Sequence, residues 1–140
     1  MRTVGEASLG GAVMGVAEDG VAFLEVSVCP SCGDMRFPAR PLCPNDLHRT
    51  HVARSAEEGI IYEAVKMSLV PPGFEAPIWV GYVDLPGSIR VFSQLGWREG
   101  EPEPRHGDAV TLTMQVVSSD GEDVLGPVFE RRSTHARGEA

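Results

Sequence analysis

Hydrophobic residues recur at every second position in several short segments of this chain, and a period of two predicts β-strands. In residues 22–28, for example, Ala22, Leu24, Val26 and Val28 fall on one face. The same pattern, or a short apolar run, predicts further strands over residues 61–69, 78–83, 89–95, 110–116 and 124–129. Because residues 59–131 show no helical periodicity, this part of the chain is expected to be entirely β.

Two of these strands carry specific predictions about burial. Every second residue from Ile61 to Leu69 falls on one face, which is apolar except for Glu63. The segment 78–83 is almost continuously apolar, and such a run is typical of a strand covered on both faces. Its aromatic residues, Trp79 and Tyr82, are therefore expected in the core.

Turn residues separate the strands. Pro86 and Gly87 suit the two central positions of a type II turn, and Ser119-Asp120-Gly121 is a hairpin signal. Pro127 lies within the last strand, where a proline favours an edge or a bulge. The glycine-rich residues 1–21 are expected to form an irregular lead.

Five strands within about 75 residues suggest a small closed barrel, because closure leaves no unpaired strand edge. Five is the strand number of the OB-fold, although the count alone does not separate it from an SH3-like barrel. The polar tail, residues 132–140, is expected to fray.

Length and composition indicate a globular protein. The chain has 140 residues, of which 42% are hydrophobic. This is enough for one ordinary domain, or for a small domain with a mini-domain that needs a metal or a cross-link for stability. No apolar run approaches ~20 residues, and the N-terminus lacks the apolar stretch of a secretory signal. Cysteines spaced as metal ligands fit a reducing compartment, so a cytoplasmic location without membrane contact is expected.

The net charge of −8 is concentrated in the second half of the chain. Residues 29–55 carry four arginines against two aspartates, whereas residues 56–131 carry five basic residues against thirteen acids. An acidic barrel repels phosphate backbones, and 6% aromatic residues offer few stacking platforms. Both observations weigh against a nucleic-acid-binding OB module, which is the alternative function for such a fold.

All three cysteines lie in one segment with the spacing of metal ligands. Cys29 and Cys32 form one knuckle, and Cys43 begins a second in which Asp46 stands where a fourth cysteine would be. Zinc binds thiolates and also accepts a carboxylate oxygen at about 2.0–2.2 Å. The spacing therefore predicts a closed structural Zn²⁺ site formed by Cys29, Cys32, Cys43 and Asp46.

Two nearby histidines leave the fourth ligand open. His48 and His51 follow closely and are chemically better zinc ligands than an aspartate, whereas the spacing favours Asp46. We prefer Asp46 and interpret the histidines as exposed linker residues. A catalytic zinc would keep water as its fourth ligand and would need a cleft, which so short a ribbon has little means to build.

The knuckles and the barrel together resemble a known family, the rubredoxin-like zinc ribbon plus OB-fold proteins associated with acyl-CoA metabolism. The motif that carries the resemblance comprises Cys29, Cys32, Gly33, Phe37, Pro38, Arg40, Cys43 and Pro44. Weaker similarities in the barrel lie at residues 59–62, 79–85, 105–108 and 127–129. The predicted organisation is a lead (1–21), a zinc ribbon (22–55), an OB-fold barrel (56–131) and a tail (132–140).

Members of this family are typically small subunits encoded beside thiolase-like proteins, in complexes that make or break carbon–carbon bonds in acyl-CoA substrates. The resemblance implies that catalysis belongs to the partner, that this chain has no catalytic residues of its own, and that it supports assembly and substrate access. Two departures stand out. Asp46 replaces the usual fourth cysteine, and the region before Cys29 lacks the amphipathic helix expected there.

The more basic ribbon is the natural neighbour of CoA in such a complex. Arg36, Arg40, Arg49 and Arg54 offer charge-assisted bonds to CoA phosphates or to carboxylates of the partner. Phe74 lies in a Pro-Gly turn where local burial is difficult, so it is expected at a hydrophobic contact. The expected partners are a thiolase-like catalytic protein and, through it, an acyl-CoA.

Overall fold

A computed structural model describes residues 3–9, 12–70, 72, 77–98, 100–118 and 124–132. Strands are the only regular secondary structure among these residues, and none of them belongs to a helix that could cross a membrane. The strands are β1 (Thr3–Leu9), β2 (Ala12–Ala17), β3 (Ala22–Val28), β4 (Met35–Arg36), β5 (His51–Arg54), β6 (Glu58–Met67), β7 (Ile78–Leu85), β8 (Ile89–Gly96), β9 (Ala109–Ser118) and β10 (Val124–Arg131). Phe74 and the predicted turn at residues 119–121 lie outside the described residues.

Strands β6–β10 close into a five-stranded barrel in the order β10-β8-β7-β6-β9. Neighbouring strands are antiparallel except β8 and β10, which pair in parallel through Val128–Glu130. Strands β6, β7 and β8 form a meander, and β10 then lies between β8 and β9. This is the Greek-key arrangement of an OB-fold. The predicted all-β fold with an OB-like barrel is confirmed.

The N-terminal residues form a second sheet, in the order β1-β2-β3-β4, with β5 also paired to β3. The prediction of an irregular lead over residues 1–21 is therefore wrong, because β1 and β2 form a hairpin that extends the sheet from β3. Glycine, alanine and serine carry little strand signal in a sequence. Here β2 is paired with β3, and β1 is paired with β2, so pairing between neighbouring strands forms this part of the sheet.

One hydrophobic core joins this sheet to the barrel. Leu24 and Val26 of β3 are fully buried in the same cluster as Ile61 and Phe129 of the barrel. Ser55 attaches the end of β5 to β3, since its N–H donates to the Leu24 carbonyl at 2.8 Å and its Oγ accepts from the Leu24 N–H at 3.1 Å. The ribbon is thus anchored on the barrel through β3.

A bulge in β6 overturns the predicted burial of that strand. The register with β7 shifts between Ile61 and Glu63, so Tyr62 is an extra residue without a partner in the ladder. Ile61 is buried, but Val65, predicted on the same apolar face, is 53% exposed. Leu69, also predicted there, is 89% exposed but lies beyond the end of β6. One inserted residue reverses the alternation that follows it, which is why the single-face prediction fails.

Strand β7 is not covered on both faces, contrary to the prediction. Trp79 does pack against the core, as expected, whereas Tyr82 is exposed on the outer face of the barrel. Val80, two residues before Tyr82 and on the same side of the strand, is buried, so the outer face of β7 is covered at one position and open at the next. A run of apolar residues indicates burial only on average.

The turn predictions have mixed outcomes. Gly87 has φ 94°, as a type II turn requires. The edge prediction for β10 is wrong, because this strand pairs with β9 on one side and β8 on the other. The parallel pairing begins at Val128, one residue after Pro127, and the register shift lies between Val124 and Leu125. Pro127 thus stands just outside the segment that hydrogen-bonds β8.

Candidate metal centre

The first knuckle begins where β3 ends. Cys29 follows Val28 directly, and its N–H donates to the Asp34 carbonyl at 2.9 Å. The Gly33 N–H donates back to the Cys29 carbonyl at 2.8 Å, and Gly33 has φ 80°, a left-handed conformation that glycine adopts without strain. This turn places Cys32, three residues after Cys29, beside it.

The second knuckle has the same hydrogen bonds. The Cys43 N–H donates to the His48 carbonyl at 2.9 Å, and the Leu47 N–H donates to the Cys43 carbonyl at 2.8 Å. Leu47 occupies the position that glycine holds in the first knuckle, with φ 62°. A left-handed leucine costs about 1–2 kcal/mol, so the loop's hydrogen bonds must hold it there. Asp46 consequently stands in the place equivalent to Cys32.

The four predicted ligand side chains are brought together. One ligand atom from each of Cys29, Cys32, Cys43 and Asp46 lies within 4.8 Å of all the others. Cys29 Sγ is 3.6 Å from both Asp46 carboxylate oxygens, and Cys32 Sγ is 3.6 Å from Cys43 Sγ. Ligand atoms around a tetrahedral zinc lie about 3.6–3.8 Å apart, given Zn–S near 2.3 Å and Zn–O near 2.1 Å. The donor set therefore fits one tetrahedral ion.

Two of the three sulfurs are buried, and two accept hydrogen bonds from Asn45. Cys29 and Cys43 are buried, whereas Cys32 is exposed. The Asn45 backbone N–H donates to Cys43 Sγ at 3.4 Å, and its side-chain amide donates to Cys32 Sγ at 3.9 Å. Both contacts come from one residue, so Asn45 helps to position the sulfurs of the two knuckles.

His48 supports Asp46 and stands outside the four-ligand group. Its backbone N–H donates to Asp46 Oδ1 at 3.1 Å, and its Nδ1 lies 3.2 Å from the same oxygen. The backbone hydrogen bond, followed by the His48 side chain, lowers the pKa of Asp46 to about 2. The carboxylate is therefore ionised at neutral pH, as a metal ligand must be. His51 lies exposed on β5.

Sequence reasoning missed the role of His48, although a signal was present. Asp46 accepts from the N–H two residues later, which is an Asx turn, and Asn45-Asp46 is a pair that favours such turns. An Asx turn directs the N–H of residue i+2 at the carboxylate, so it points to His48 as the group that orients Asp46.

The four arginines of the ribbon differ in their surroundings. Arg36 donates to the Asp34 carboxylate at 2.7 Å, and this hydrogen bond raises the pKa of Arg36. The Arg54 guanidinium lies over an aromatic ring of β3, 4.0 Å from the ring centroid. Arg40 and Arg49 are exposed, with no carboxylate partner among the residues that the structure describes. Arg36 and Arg54 are thus engaged within the chain.

Comparison with known proteins identifies relatives across most of the chain, although no protein-family model matches it. The chain is 30% identical over 119 residues to the benzoylsuccinyl-CoA thiolase subunit BbsA of Thauera aromatica, covering 82% of this chain and 81% of the relative. It is 27% identical over 109 residues to the BbsA of Geobacter metallireducens, covering 76% and 72%. It is also 26% identical over 100 residues to a DUF35 domain-containing scaffold protein of Methanocaldococcus jannaschii, covering 68% and 70%.

Solved structures point the same way. The structure of an Ltp2-ChsH2(DUF35) aldolase matches with a TM-score of 0.63 and 26% identity over 78% of this chain and 84% of the other. A DUF35 protein of unknown function from Sulfolobus solfataricus, at 13% identity and a TM-score of 0.52 over 79% and 76%, shares the fold alone. Given 30% identity to BbsA over most of both chains, this chain belongs to the DUF35 family of scaffold proteins and thiolase subunits, as its knuckle motif predicted.

Proposed function

We propose that this chain is a non-catalytic subunit of a thiolase-type complex that makes or cleaves a carbon–carbon bond in an acyl-CoA. The observation that carries the proposal is that the chain is 30% identical in sequence to a protein named as a thiolase subunit. A second relative is named a scaffold, and a solved relative is named as a DUF35 protein together with an aldolase. In this proposal the catalytic residues belong to the partner, and this chain supports assembly and access of the CoA substrate.

The metal site has a structural role in this proposal. Zn²⁺ would be held by Cys29, Cys32, Cys43 and Asp46, with His48 orienting the carboxylate. Four protein ligands leave no open position for water, so the ion would stabilise the ribbon without activating a nucleophile. The matched backbone of the two knuckles and the 3.6 Å ligand separations support this assignment.

Arg40 and Arg49 are the ribbon arginines best suited to CoA phosphates or to carboxylates of the partner. They are exposed, and no described carboxylate neutralises them. Arg36 and Arg54 already have partners within the chain, so their contribution to such contacts would require rearrangement. The proposed role of Phe74 at a hydrophobic contact, and the cytoplasmic location, stay predictions.

A single-stranded nucleic-acid-binding module is the alternative function, and one observation favours it more than the sequence did. Tyr82 and Phe92 are exposed on the outer face of the barrel, where aromatic rings can stack on bases. Against this stands the charge of residues 56–131, thirteen acids to five basic residues, which opposes a phosphate track. The accessory-subunit proposal accounts for both the charge and the relatives.

The test is to purify this chain alone, the thiolase-like protein of the same organism alone, and both together. We expect no acyl-CoA turnover by this chain, a stable complex of the two proteins, and full turnover only by that complex. The thiolase-like protein alone is the control for activity. Turnover by this chain in isolation would contradict the non-catalytic role, and absence of a complex would contradict the subunit role.

A further inference from the structure

Strands β6, β7 and β8 present exposed apolar side chains on the outside of the barrel. Tyr62, Tyr82, Phe92, Ile60 and Val65 are between 42% and 59% exposed. We call these five residues the aromatic face. Large apolar side chains grouped on one surface of a small protein mark an interaction site, whereas isolated ones do not.

The aromatic face is continuous across the strands. Tyr82 and Phe92 are cross-strand partners whose rings meet edge to face with centroids 5.2 Å apart. Asp84 and Arg90 form a cross-strand pair two residues further along, and therefore lie on the same side of the sheet. The Arg90 guanidinium is 3.6 Å from the centroid of the Tyr62 ring. Arg90 thus links Tyr62 to the Tyr82–Phe92 pair.

Contacts within the chain hold these side chains in place. Asp84 accepts two hydrogen bonds from Arg90, at 2.6 and 3.1 Å, which fix the guanidinium over Tyr62. The His106 ring contacts Tyr62 edge to face at 5.8 Å, and its Nδ1 is 2.8 Å from the Tyr62 carbonyl oxygen. Side chains that are already ordered lose less conformational entropy on binding.

The bulge in β6 adds a charge to this surface. Because of the extra residue, two consecutive side chains, Tyr62 and Glu63, are both exposed. Glu63 pairs in register with Tyr82, and no described cation forms an ion pair with it. The aromatic face therefore carries an acidic group beside its centre.

We propose that the aromatic face is the surface that docks onto the catalytic partner, an inference that rests on the proposed function. The matching surface of the partner would offer an apolar pocket for Tyr82 and Phe92 and a basic residue opposite Glu63. Tyrosine, phenylalanine and arginine are the residues enriched at the centres of protein interfaces. The residue composition and the charge of the aromatic face therefore favour a protein partner.

A second copy of this chain and a nucleic acid fit less well. Each copy carries a net charge of −8, and net charge of one sign opposes self-association. A phosphate backbone would meet the same acidic barrel. The relatives, by contrast, are named as subunits or scaffolds of other proteins, which favours a different protein as the occupant.

The test compares the affinity of the full chain and its variants for the thiolase-like protein of the same organism, by calorimetry. Tyr82→Ser together with Phe92→Ser should weaken Kd on the order of 30-fold or more, as loss of a central aromatic pair does. Leu69→Ser with Val52→Ser is the matched control, since both residues are exposed and lie outside the aromatic face. We expect the control to change Kd by less than about 3-fold.

A second variant keeps the test informative if the double variant fails to fold. Glu63→Lys changes one exposed charge and should slow association, with the effect shrinking as salt rises. If the wild type binds and both face variants bind equally well, the aromatic face is not the docking surface, while the subunit role stands. Self-association, or binding of a single-stranded 20-mer, that Tyr82→Ser with Phe92→Ser abolishes would also overturn the proposal.

Discussion

Asp46 shows how one residue can change the chemistry of a site without changing its backbone. The hydrogen bonds around Cys43 and Leu47 repeat those around Cys29 and Gly33, so residue 46 is presented as Cys32 is. The Asp46 carboxylate oxygens lie 3.6 Å from Cys29 Sγ, within the group of four candidate ligands. His48 orients this carboxylate through its backbone N–H and its ring, and these contacts lower the pKa of Asp46 to about 2.

Asp46→Ala should lower zinc affinity sharply, because it removes a ligand from the proposed site. Losing a residue that only orients a ligand typically costs about 10–100-fold in metal affinity. His48→Ala removes the ring contact but keeps the backbone N–H that donates to Asp46, so its effect should lie at or below the lower end of that range, and that of Asp46→Ala beyond it. Competition with a chromophoric chelator measures both.

Asp34→Ala is the matched control for that experiment. Asp34 is also a ribbon aspartate, but its carboxylate pairs with Arg36, so zinc affinity should change little. The opposite ranking, with zinc lost in His48→Ala and kept in Asp46→Ala, would identify His48 as the ligand.

The Asp84–Arg90 pair has a consequence for pH. The hydrogen bond from Arg90, and then its charge, lower the pKa of Asp84 below the ordinary aspartate value. The pair therefore contributes stability above the ordinary carboxyl pKa, and this contribution is lost as pH falls through the lowered value. Because both side chains are almost half exposed to solvent, this contribution is small.

Arg90→Gln should raise the pKa of Asp84 toward its ordinary value, since it removes the charged donor. An NMR titration of the Asp84 carboxyl measures the midpoint directly. Arg98→Gln, an exposed arginine outside this pair, serves as control and should leave the midpoint unchanged. An unchanged midpoint in Arg90→Gln would mean that Arg90 is not what lowers the pKa of Asp84.

At the scale of elements, the bulge in β6 decides which side chains face outward. It brings the β6 backbone close to β7, where Gly81 stands opposite. A methyl group on Gly81 would overlap the Glu63 carbonyl oxygen and lie 3.0 Å from Ala64 Cα. Both obstacles are backbone atoms, which cannot rotate away, so the bulge and the glycine depend on each other.

Gly81→Ala should destabilise the barrel by about 1–3 kcal/mol, the usual cost of overpacking a tight site. Urea denaturation followed by tryptophan fluorescence reports the free energy of unfolding. The bulge should be disturbed as well, which amide shifts at residues 61–64 would reveal. An unchanged urea midpoint would contradict the close approach of β6 and β7 at this glycine.

At the scale of the whole molecule, the ribbon and the barrel share one core through β3. Leu24 and Val26 lie in the same cluster as Val83 and Val110 of the barrel. The turn between β7 and β8 also touches the ribbon, since a side chain on Gly87 would overlap the Met35 sulfur. β3 is therefore held by the shared core and does not depend on the knuckles alone.

Removing the metal with a chelator should speed amide hydrogen exchange in the two knuckles and leave the amides of β3 protected from exchange. Metal binding supplies folding free energy to the loops that carry the ligands, residues 29–48, whereas β3 is held by the shared core. Hydrogen exchange before and after chelation measures this difference. Faster exchange in β3 and β6–β10 together would instead mean that the whole chain depends on the ion.

The sequence by itself determined the features that local chemistry specifies. The spacing of Cys29, Cys32, Cys43 and Asp46 predicted the group that the knuckles bring together, since each knuckle is closed by hydrogen bonds between nearby residues. The alternation in residues 89–95 and 110–116 placed β8 and β9, and the count of strands indicated the barrel. The turn at Gly87 followed from the residues that such turns require.

Only the tertiary structure decided the features that depend on distant neighbours. The bulge at Tyr62 exists because β6 pairs with β7, and it reverses a pattern that the sequence suggests is regular. The exposure of Tyr82 and the attachment of the first hairpin to β3 likewise arise from barrel closure and strand pairing. Side-chain alternation is a local signal, whereas register and burial are set by contacts between segments far apart in the chain.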